Sequence, residues 1–261
     1  FNLEMHVPYN VGACYIFKLP NNKLLIYDIG EHSEWERIDN CLTALNITKI
    51  DYLIISHFHH DHVQNIDYLA ENYDLSNCTC WIGMKPDYDN HADDLEETEQ
   101  TWDEAYDSLI NAGLTPTIPT NDSVVELDTD LTLHFLNTSL EIAENNNFYN
   151  VNAEWHDTGK SNLNIFSLIV ELTYKSNKIT LTGDIERVVE TTYTNYMKKT
   201  DILIMPHHGI NRSGDFRFYK AMSPKIAFFN YSTNKQAEGW IYNYFKPYQY
   251  MQKLNAEIIA S

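Results

Sequence analysis

Histidine and aspartate are concentrated in one short stretch of the sequence, SHFHHDHVQN, which covers residues 56–65. In an extended segment, residues two positions apart face the same side, so His57, His59 and Asp61 are expected to point toward one crevice. His62 adds a further imidazole where a helix is expected to begin. Imidazole nitrogens and carboxylate oxygens are ligands that Zn, Mn and Fe ions accept in proteins. The stretch is therefore a candidate metal site.

Two later segments repeat the arrangement of an apolar strand followed by possible ligand residues. ITLTGD ends in Asp184, and DILIMPHHG delivers His207 and His208. A polar loop with solvated histidines is the alternative interpretation of the first stretch, but it does not predict these two further sets. Side chains at the carboxyl ends of buried strands are held rigidly over a crevice. The three segments together favour a metal site, with His60 as a bystander.

The elements that must position these residues follow from hydrophobic spacing and turn residues. Apolar or alternating runs predict strands at residues 14–18, 24–28, 51–56, 131–136, 167–174, 201–205 and 226–229. Helical spacing predicts helices at residues 33–45, 63–72, 84–114 and 191–197, and from residue 240 onward. A turn at Ser176–Asn177 is expected to join two strands. Helices between strands in both parts of the chain predict an α/β sandwich of two sheets in two similar halves.

The combined motifs resemble those of the metallo-β-lactamase superfamily. They are Asp28 in IYDIG, HFHHDH at residues 57–62, Asp184 in TGD and His207 in PHHG. The resemblance implies one domain over residues 1–261, a four-layer αββα sandwich with a dinuclear metal site between its sheets. Two subfamilies look closest in sequence. They are the lactamase-like domain of the DNA-uptake competence channel and the phosphorylcholine esterase that trims teichoic acid.

The resemblance also implies ligands for two divalent metal ions, with Zn or Mn favoured and Fe as a further candidate. The implied ligands of the first ion are His57 and His59. Those of the second ion are Asp61, His62 and His207. Asp184 would bridge both ions, because one carboxylate offers two oxygens. Asp28 would not bind metal itself and would instead order the ligand loop.

The sequence departs from the pattern of the superfamily at several positions. Asn164 occupies the position where a third histidine for the first ion is usual, as in the two subfamilies, and His156 on a neighbouring loop is an alternative ligand. Gln64 replaces a glycine that is common after the Asp–His pair. The segment NYSTNKQAEGW lacks the His-Pro turn of the competence-channel domain, which argues against DNA cleavage.

Metal-dependent hydrolysis of a small or exposed phosphodiester is the expected activity. A bridging carboxylate at Asp184, where common dizinc β-lactam hydrolases have cysteine, is a hard ligand that suits phosphoryl chemistry. A metal-bound hydroxide would attack phosphorus at a site held by Asp61 and Asp184. His208 would protonate the leaving group or form a supporting hydrogen bond. Aromatic residues expected near strand ends are candidates for the substrate pocket: Trp155, Tyr231 and Trp240.

Two alternatives stay open, a nuclease of the competence-channel type and a metal-binding interaction module without catalysis. The formal net charge of −19 argues against a long nucleic acid as partner, because nucleic-acid binders carry basic patches. No apolar run approaches the ~18 residues of a membrane span. No signal peptide is visible, so the cytoplasm is the default expectation, although the chain starts at Phe1 and an upstream segment could have been removed. The sequence does not indicate an oligomeric state.

Overall fold

Two β-sheets form the middle of the protein. The structure is a computed structural model that describes residues 2–8, 13–151, 159–210, 213–230 and 246–260. In the first sheet, β1 to β3 are antiparallel and β3 to β6 are parallel, and the strands follow one another in chain order. These strands are β1 Glu4–His6, β2 Cys14–Lys18, β3 Leu24–Ile29, β4 Tyr52–Ile55, β5 Thr79–Ile82 and β6 Pro116–Thr117.

The second sheet has the strand order β13-β12-β11-β10-β9-β8-β7. It is antiparallel from β7 to β10 and parallel from β10 to β13. Its strands are β7 Ser123–Asp128, β8 Leu131–Leu136, β9 Ile169–Tyr174, β10 Asn177–Leu181, β11 Ile202–Ile204, β12 Ile226–Phe229 and β13 Glu257–Ala260.

Helices connect the strands in both halves of the chain. Those of the described residues are α1 Trp35–Ala44, α2 His60–Val63, α3 Ile66–Asn72, α4 Tyr88–His91, α5 Glu99–Asn111, α6 Leu140–Asn145, α7 Arg187–Tyr193, α8 Phe216–Met222 and α9 Lys246–Lys253. Within the described residues, no helix combines the length and the apolar character that crossing a membrane requires.

Strands β2, β3 and β4 are buried on both faces, and the alternation of their side chains separates two cores. Tyr15 and Phe17 of β2 pack between the sheets against β8 and β9 residues such as Phe135. Their neighbours Cys14 and Ile16 face the other side of the sheet, where the helices cover them. The predicted α/β class, two sheets with helices outside, is therefore confirmed.

Several predicted element boundaries are wrong. The segment at residues 84–114 is not one helix, because Leu95 forms a bridge to Ser161 between α4 and α5. The turn between β9 and β10 is at Lys175–Ser176, one residue earlier than predicted, with Lys175 in the left-handed region at φ 56°. The strand β7 was not predicted, because its alternating side chains are only partly buried. Residues 240–245 of the last predicted helix lie outside the described residues.

A buried carboxylate ties α7 to the beginning of α8. Glu190 Oε2 accepts hydrogen bonds from the backbone N–H groups of Gly214, at 2.7 Å, and Asp215, at 2.6 Å. Its Oε1 accepts from the hydroxyl of Tyr219 at 2.7 Å. Burial raises the pKa of Glu190 to about 7, because these donors only partly offset the lost solvation of the charge.

We expect Glu190→Gln to remove a pH dependence of stability. Because folding raises the pKa of Glu190, its contribution is fully present below the unfolded pKa of about 4.3 and is lost as the pH rises through about 7. Relative to the variant, the wild type should lose roughly 3 kcal/mol of unfolding free energy between pH 4.5 and pH 8. Urea unfolding across this range measures the difference. Exposed Glu104→Gln is the control, and a wild-type profile parallel to that of Glu190→Gln would contradict the expectation.

Candidate metal centre

Asp28 connects the end of β3 to the loop that follows β4. Its backbone is left-handed, at φ 56°, and its buried side chain faces the neighbouring strand. Oδ1 accepts from the backbone N–H of Ser56 at 2.6 Å, and Oδ2 accepts from the Ser56 hydroxyl at 2.8 Å. Oδ2 also lies 2.8 Å from Nδ1 of His62, which is therefore the protonated nitrogen of that ring. These contacts are the ones that the predicted role of Asp28 in ordering the ligand loop requires.

Gly183 brings the second sheet against the same loop. A Cβ atom at this position would lie 2.7 Å from Cβ of Ser56 and 2.9 Å from Cβ of Ser167, and the backbone is left-handed at φ 51°. Only glycine therefore fits between the two serines without strain. The next residue, Asp184, donates its backbone N–H to the Ser167 hydroxyl at 3.1 Å. This close approach places the Asp184 carboxylate beside the histidine loop.

Four side chains converge at the edge where the two sheets meet. We call Asp61, His62, Asp184 and His208 the four-residue cluster, because one ligand atom of each lies within 4.8 Å of the others. Nε2 of His62 lies 3.4 Å from Asp184 Oδ1, and Nε2 of His208 lies 3.3 Å from Asp184 Oδ2. Asp61 Oδ2 is 3.3 Å from the same His208 nitrogen. Two imidazoles and two carboxylates form a donor set that fits Zn, Mn or Fe.

The protonation of the two imidazoles leaves the correct nitrogens for a metal ion. His62 donates Nδ1–H to Asp28, and its buried Nε2 has no hydrogen-bond partner within the described part of the chain. His208 Nδ1 lies 3.1 Å from the carbonyl oxygen of Asn230, which fixes the proton on Nδ1. In both rings Nε2 faces the four-residue cluster, where a metal ion would replace its proton. Metal-binding histidines are oriented in this way by a hydrogen bond from the other ring nitrogen.

The electrostatics of the cluster favour positive charge. Burial alone would lower the pKa of His62, but Asp184 and Asp61 raise it well above its ordinary value. Burial also opposes the charged form of His208, and the same two carboxylates raise its pKa to about 10. Burial would raise the pKa of Asp184, but His208 and His62 hold it well below its usual range. A divalent cation would supply the positive charge that these protons provide here.

His57 and His59 form a second group, which we call the histidine pair. Nε2 of His57 lies 3.0 Å from Nδ1 of His59, so the two nitrogens converge on one point. Burial and the neighbouring His62 lower the pKa of His57 well below its ordinary value, which keeps the ring neutral as a metal ligand must be. The His57 and His62 ring centroids are 4.1 Å apart, so the pair adjoins the four-residue cluster. His60 is exposed and outside both groups, as expected.

The adjacent residues His207 and His208 turn their rings toward different groups. Both have left-handed backbones, with φ 47° and 55°, a conformation that costs on the order of 1–3 kcal/mol per residue. His208 belongs to the four-residue cluster, whereas His207 Nε2 lies 3.4 Å from Nδ2 of Asn164 and 3.7 Å from Asp184 Oδ2. The sequence analysis assigned His207 to the second ion, and His208 to protonation of the leaving group or to a supporting hydrogen bond. In the structure His208 lies in the four-residue cluster and His207 lies beside Asn164.

Asn164, the expected third ligand of the first ion, lies beside His207. It belongs to the 3₁₀ turn Leu163–Phe166, and its buried Oδ1 has no hydrogen-bond partner in the described ranges. Nδ2 of Asn164 lies 3.4 Å from Glu186 Oε1, which also lies 3.6 Å from His207 Nδ1. Glu186 was not predicted from the sequence. The other proposed ligand and pocket residues lie outside the described residues: His156, Trp155, Tyr231 and Trp240.

Comparison with known proteins identifies the family. The sequence profile of the metallo-beta-lactamase superfamily matches residues 8–139, which include the ligand loop and Asp28. The chain belongs to the metallo-β-lactamase superfamily. This superfamily consists mostly of metal-dependent hydrolases. No curated protein matches the sequence significantly.

Solved structures support the same fold at low sequence identity. The metallo-β-lactamase fold protein YhfI from Bacillus subtilis is 13% identical, with a TM-score of 0.52 over 98% of this chain and 90% of its own. A diphosphatase of the PhnP family is 10% identical, with a TM-score of 0.53 over 96% and 81%. CmlA, a diiron β-hydroxylase from Streptomyces venezuelae, is 12% identical, with a TM-score of 0.60 over 99% of this chain and 53% of its own. These similarities show the fold alone.

We expect Asp28→Asn to weaken metal binding at the four-residue cluster. Asparagine keeps one acceptor oxygen for Ser56 but turns an NH₂ group toward His62 Nδ1–H, which favours the opposite tautomer. Metal affinity should fall roughly 10- to 100-fold, as is usual when the partner of a ligand histidine is lost. Titration calorimetry with Zn or Mn, in competition with a chelator, measures the loss.

Asp51→Asn is the matched control for this prediction. Asp51 precedes the same strand, β4, and its Oδ2 accepts from the backbone N–H of Leu24 at the opposite end of the sheet. The control should bind metal as the wild type does. Equal affinities for Asp28→Asn and the wild type would show that Asp28 does not hold His62 for metal binding.

Proposed function

We propose that the protein is a metal-dependent phosphodiesterase that uses two divalent cations to hydrolyse a small or exposed phosphodiester. The observation that supports this proposal most directly is the position of Asp184. Its two oxygens face three imidazoles, with Oδ1 toward His62 and Oδ2 toward His208 and His207. The histidine pair adjoins the same group of side chains. A carboxylate in this position is suited to bridge two cations.

The proposed ligand sets follow the two groups. The histidine pair would bind the first ion together with Asn164, whose Oδ1 is a neutral oxygen ligand. Asp61, His62 and His208 would bind the second ion. His207 lies on the Asn164 side, where its imidazole is placed to complete the first set or to donate to a phosphate oxygen. The hard and borderline donors of both sets suit Zn or Mn, with Fe as a further candidate.

The chemistry of such a pair of ions matches phosphodiester hydrolysis. When bound, two cations supply a nucleophile at neutral pH and neutralise the charge that develops on the phosphoryl oxygens. The chain itself contributes the orientation: Asp28 holds His62, and the strained turn at His207 and His208 directs one ring to each side of Asp184. The protein of the PhnP family that shares this fold is a diphosphatase, which supports phosphoryl chemistry here.

Charge supports a small substrate over a polynucleotide. With 37 acidic and 18 basic residues, the chain offers little to neutralise a long row of phosphates. A nuclease that binds many phosphates loses affinity steeply as salt increases, because bound counterions are released. Substrate length and salt dependence therefore separate the proposed activity from that of the competence-channel nuclease.

The test is turnover of bis(p-nitrophenyl) phosphate by protein loaded with Zn or Mn, beside single-stranded and duplex DNA at low and high salt. We expect the small diester to be cleaved faster than either DNA, with weak salt dependence. Faster cleavage of DNA with a steep salt dependence would favour the nuclease. Bound metal with no turnover of any phosphodiester would favour a non-catalytic binding module.

We expect Asp184→Asn to lower metal occupancy and to reduce turnover by at least about 100-fold. Asparagine keeps the shape but offers one acceptor oxygen and no charge, so it cannot bridge two cations. Metal content, turnover and melting temperature should be measured on the same samples. The melting temperature of the metal-free protein shows whether the variant still folds, because Asp184 is buried and contacts His62 and His208.

Asp201→Asn is the matched control for Asp184→Asn. Asp201 precedes β11 in the same sheet, and its Oδ2 accepts from the backbone N–H of Lys178 at 2.8 Å. It should retain two metal ions and full turnover. An Asp184→Asn variant with two bound ions and wild-type activity would exclude the bridging role.

A further inference from the structure

The Glu97 carboxylate connects the histidine pair to the turn that carries Asn164. Its Oε1 lies 2.9 Å from Nε2 of His59. Its Oε2 accepts a hydrogen bond from the backbone N–H of Leu163 at 3.1 Å. The side chains of His59 and Glu97 are largely shielded, with 26% and 22% of their surfaces exposed. One carboxylate therefore contacts both elements that surround the first proposed ion.

The contact with Glu97 determines which nitrogen of His59 is free. A carboxylate accepts but does not donate, so the proton of the His59 ring lies on Nε2 and points at Oε1. Nδ1 then keeps its lone pair, and this is the nitrogen that lies 3.0 Å from His57 Nε2. At the other group, Asp28 likewise accepts the hydrogen bond from His62 Nδ1–H, so Nε2 is the nitrogen that faces the four-residue cluster. Each group thus contains one histidine whose tautomer a carboxylate selects.

The backbone around Glu97 is held from both sides. Leu95 is buried and bridges to Ser161, and Glu96 N–H donates to the Ser161 carbonyl at 2.7 Å. On the other side, Thr98 begins α5 as its N-cap, with its hydroxyl accepting from Thr101 N–H. The pairing of residues 94–96 with Ser161 therefore fixes the backbone position from which Glu97 reaches His59.

We propose that Glu97 is a positioning residue that holds His59 in the tautomer and orientation required for the first metal ion, and that links this ligand to the Asn164 turn. The inference rests on the metal site of the proposed function and not on its substrate. Loss of such a carboxylate partner typically lowers metal affinity by about 10- to 100-fold. The effect should be confined to one of the two ions, because Glu97 contacts none of the residues of the four-residue cluster.

Glu97→Gln is the test variant and Glu99→Gln is its matched control. Glutamine has one acceptor oxygen, so it cannot accept from both His59 and Leu163, and its NH₂ group would favour the wrong His59 tautomer. Glu99 lies two residues away, is half exposed and pairs with Lys85, and its replacement removes the same charge. The control therefore reports the general electrostatic effect of losing one negative charge near the site.

Two measurements on the full chain test the proposal without using activity. Nitrogen-15 NMR of the metal-free protein at pH 8 should show His59 protonated on Nε2 in the wild type and in Glu99→Gln, but not in Glu97→Gln. Calorimetric titration with Zn or Mn should show two ions per wild-type chain. In Glu97→Gln, the affinity for one ion should fall about 10- to 100-fold, while the affinity for the other stays within about twofold.

The outcomes separate this inference from the proposed function. A wild-type chain that binds no divalent ion would overturn the metal site itself. A wild type with two ions, together with unchanged affinities and an unchanged His59 tautomer in Glu97→Gln, would overturn the role of Glu97 alone. Glu97→Asp keeps the charge but withdraws the carboxylate by one methylene group. It should show a weaker form of the same loss, and it provides the test if Glu97→Gln does not fold.

Discussion

The buried carboxylate of Asp28 accepts hydrogen bonds from Ser56 and His62, and the geometry of the site depends on these contacts. They are available because β3 and β4 are parallel neighbours, so their carboxyl ends meet at one edge of the sheet. The left-handed backbone of Asp28 turns its side chain across to the next strand. This link holds Ser56, at the start of the loop after β4, and the ring of His62.

The second sheet completes the site through close backbone approach. Gly183 leaves no room for a side chain between Ser56 and Ser167, so Asp184 lies against the loop that Asp28 orders. The anionic group formed by Asp184 and Asp61 would repel itself in the absence of positive charge. The raised pKa values of His62 and His208 show how strongly the structure attracts cations there. Backbone strain at the Pro-His-His-Gly turn is consistent with a site held for function rather than for stability.

The acidic segment between β5 and β6 shows where sequence reasoning reached its limit. Its apolar spacing predicted one helix over residues 84–114, yet Leu95 interrupts the helix by pairing with Ser161. This interruption places Glu97 beside His59, which is 38 residues earlier in the chain. Nothing in the composition distinguishes Glu97 from its acidic neighbours. Leu95 lies within this acidic run and is buried in the structure, which shows that the segment contacts the rest of the protein.

The sequence by itself determined the class of the fold and the chemical types of the site residues. Alternating and apolar runs indicated the strands, and His57 and Asp184 lie two and three residues after the ends of β4 and β10, so local spacing was sufficient. Only the tertiary structure decided which of His207 and His208 joins the four-residue cluster, because adjacent side chains in a turn are separated by backbone angles that residue types do not specify. It also decided which carboxylates hold His62 and His59. Those contacts depend on strand pairing and loop packing between distant parts of the chain, which local sequence patterns do not encode.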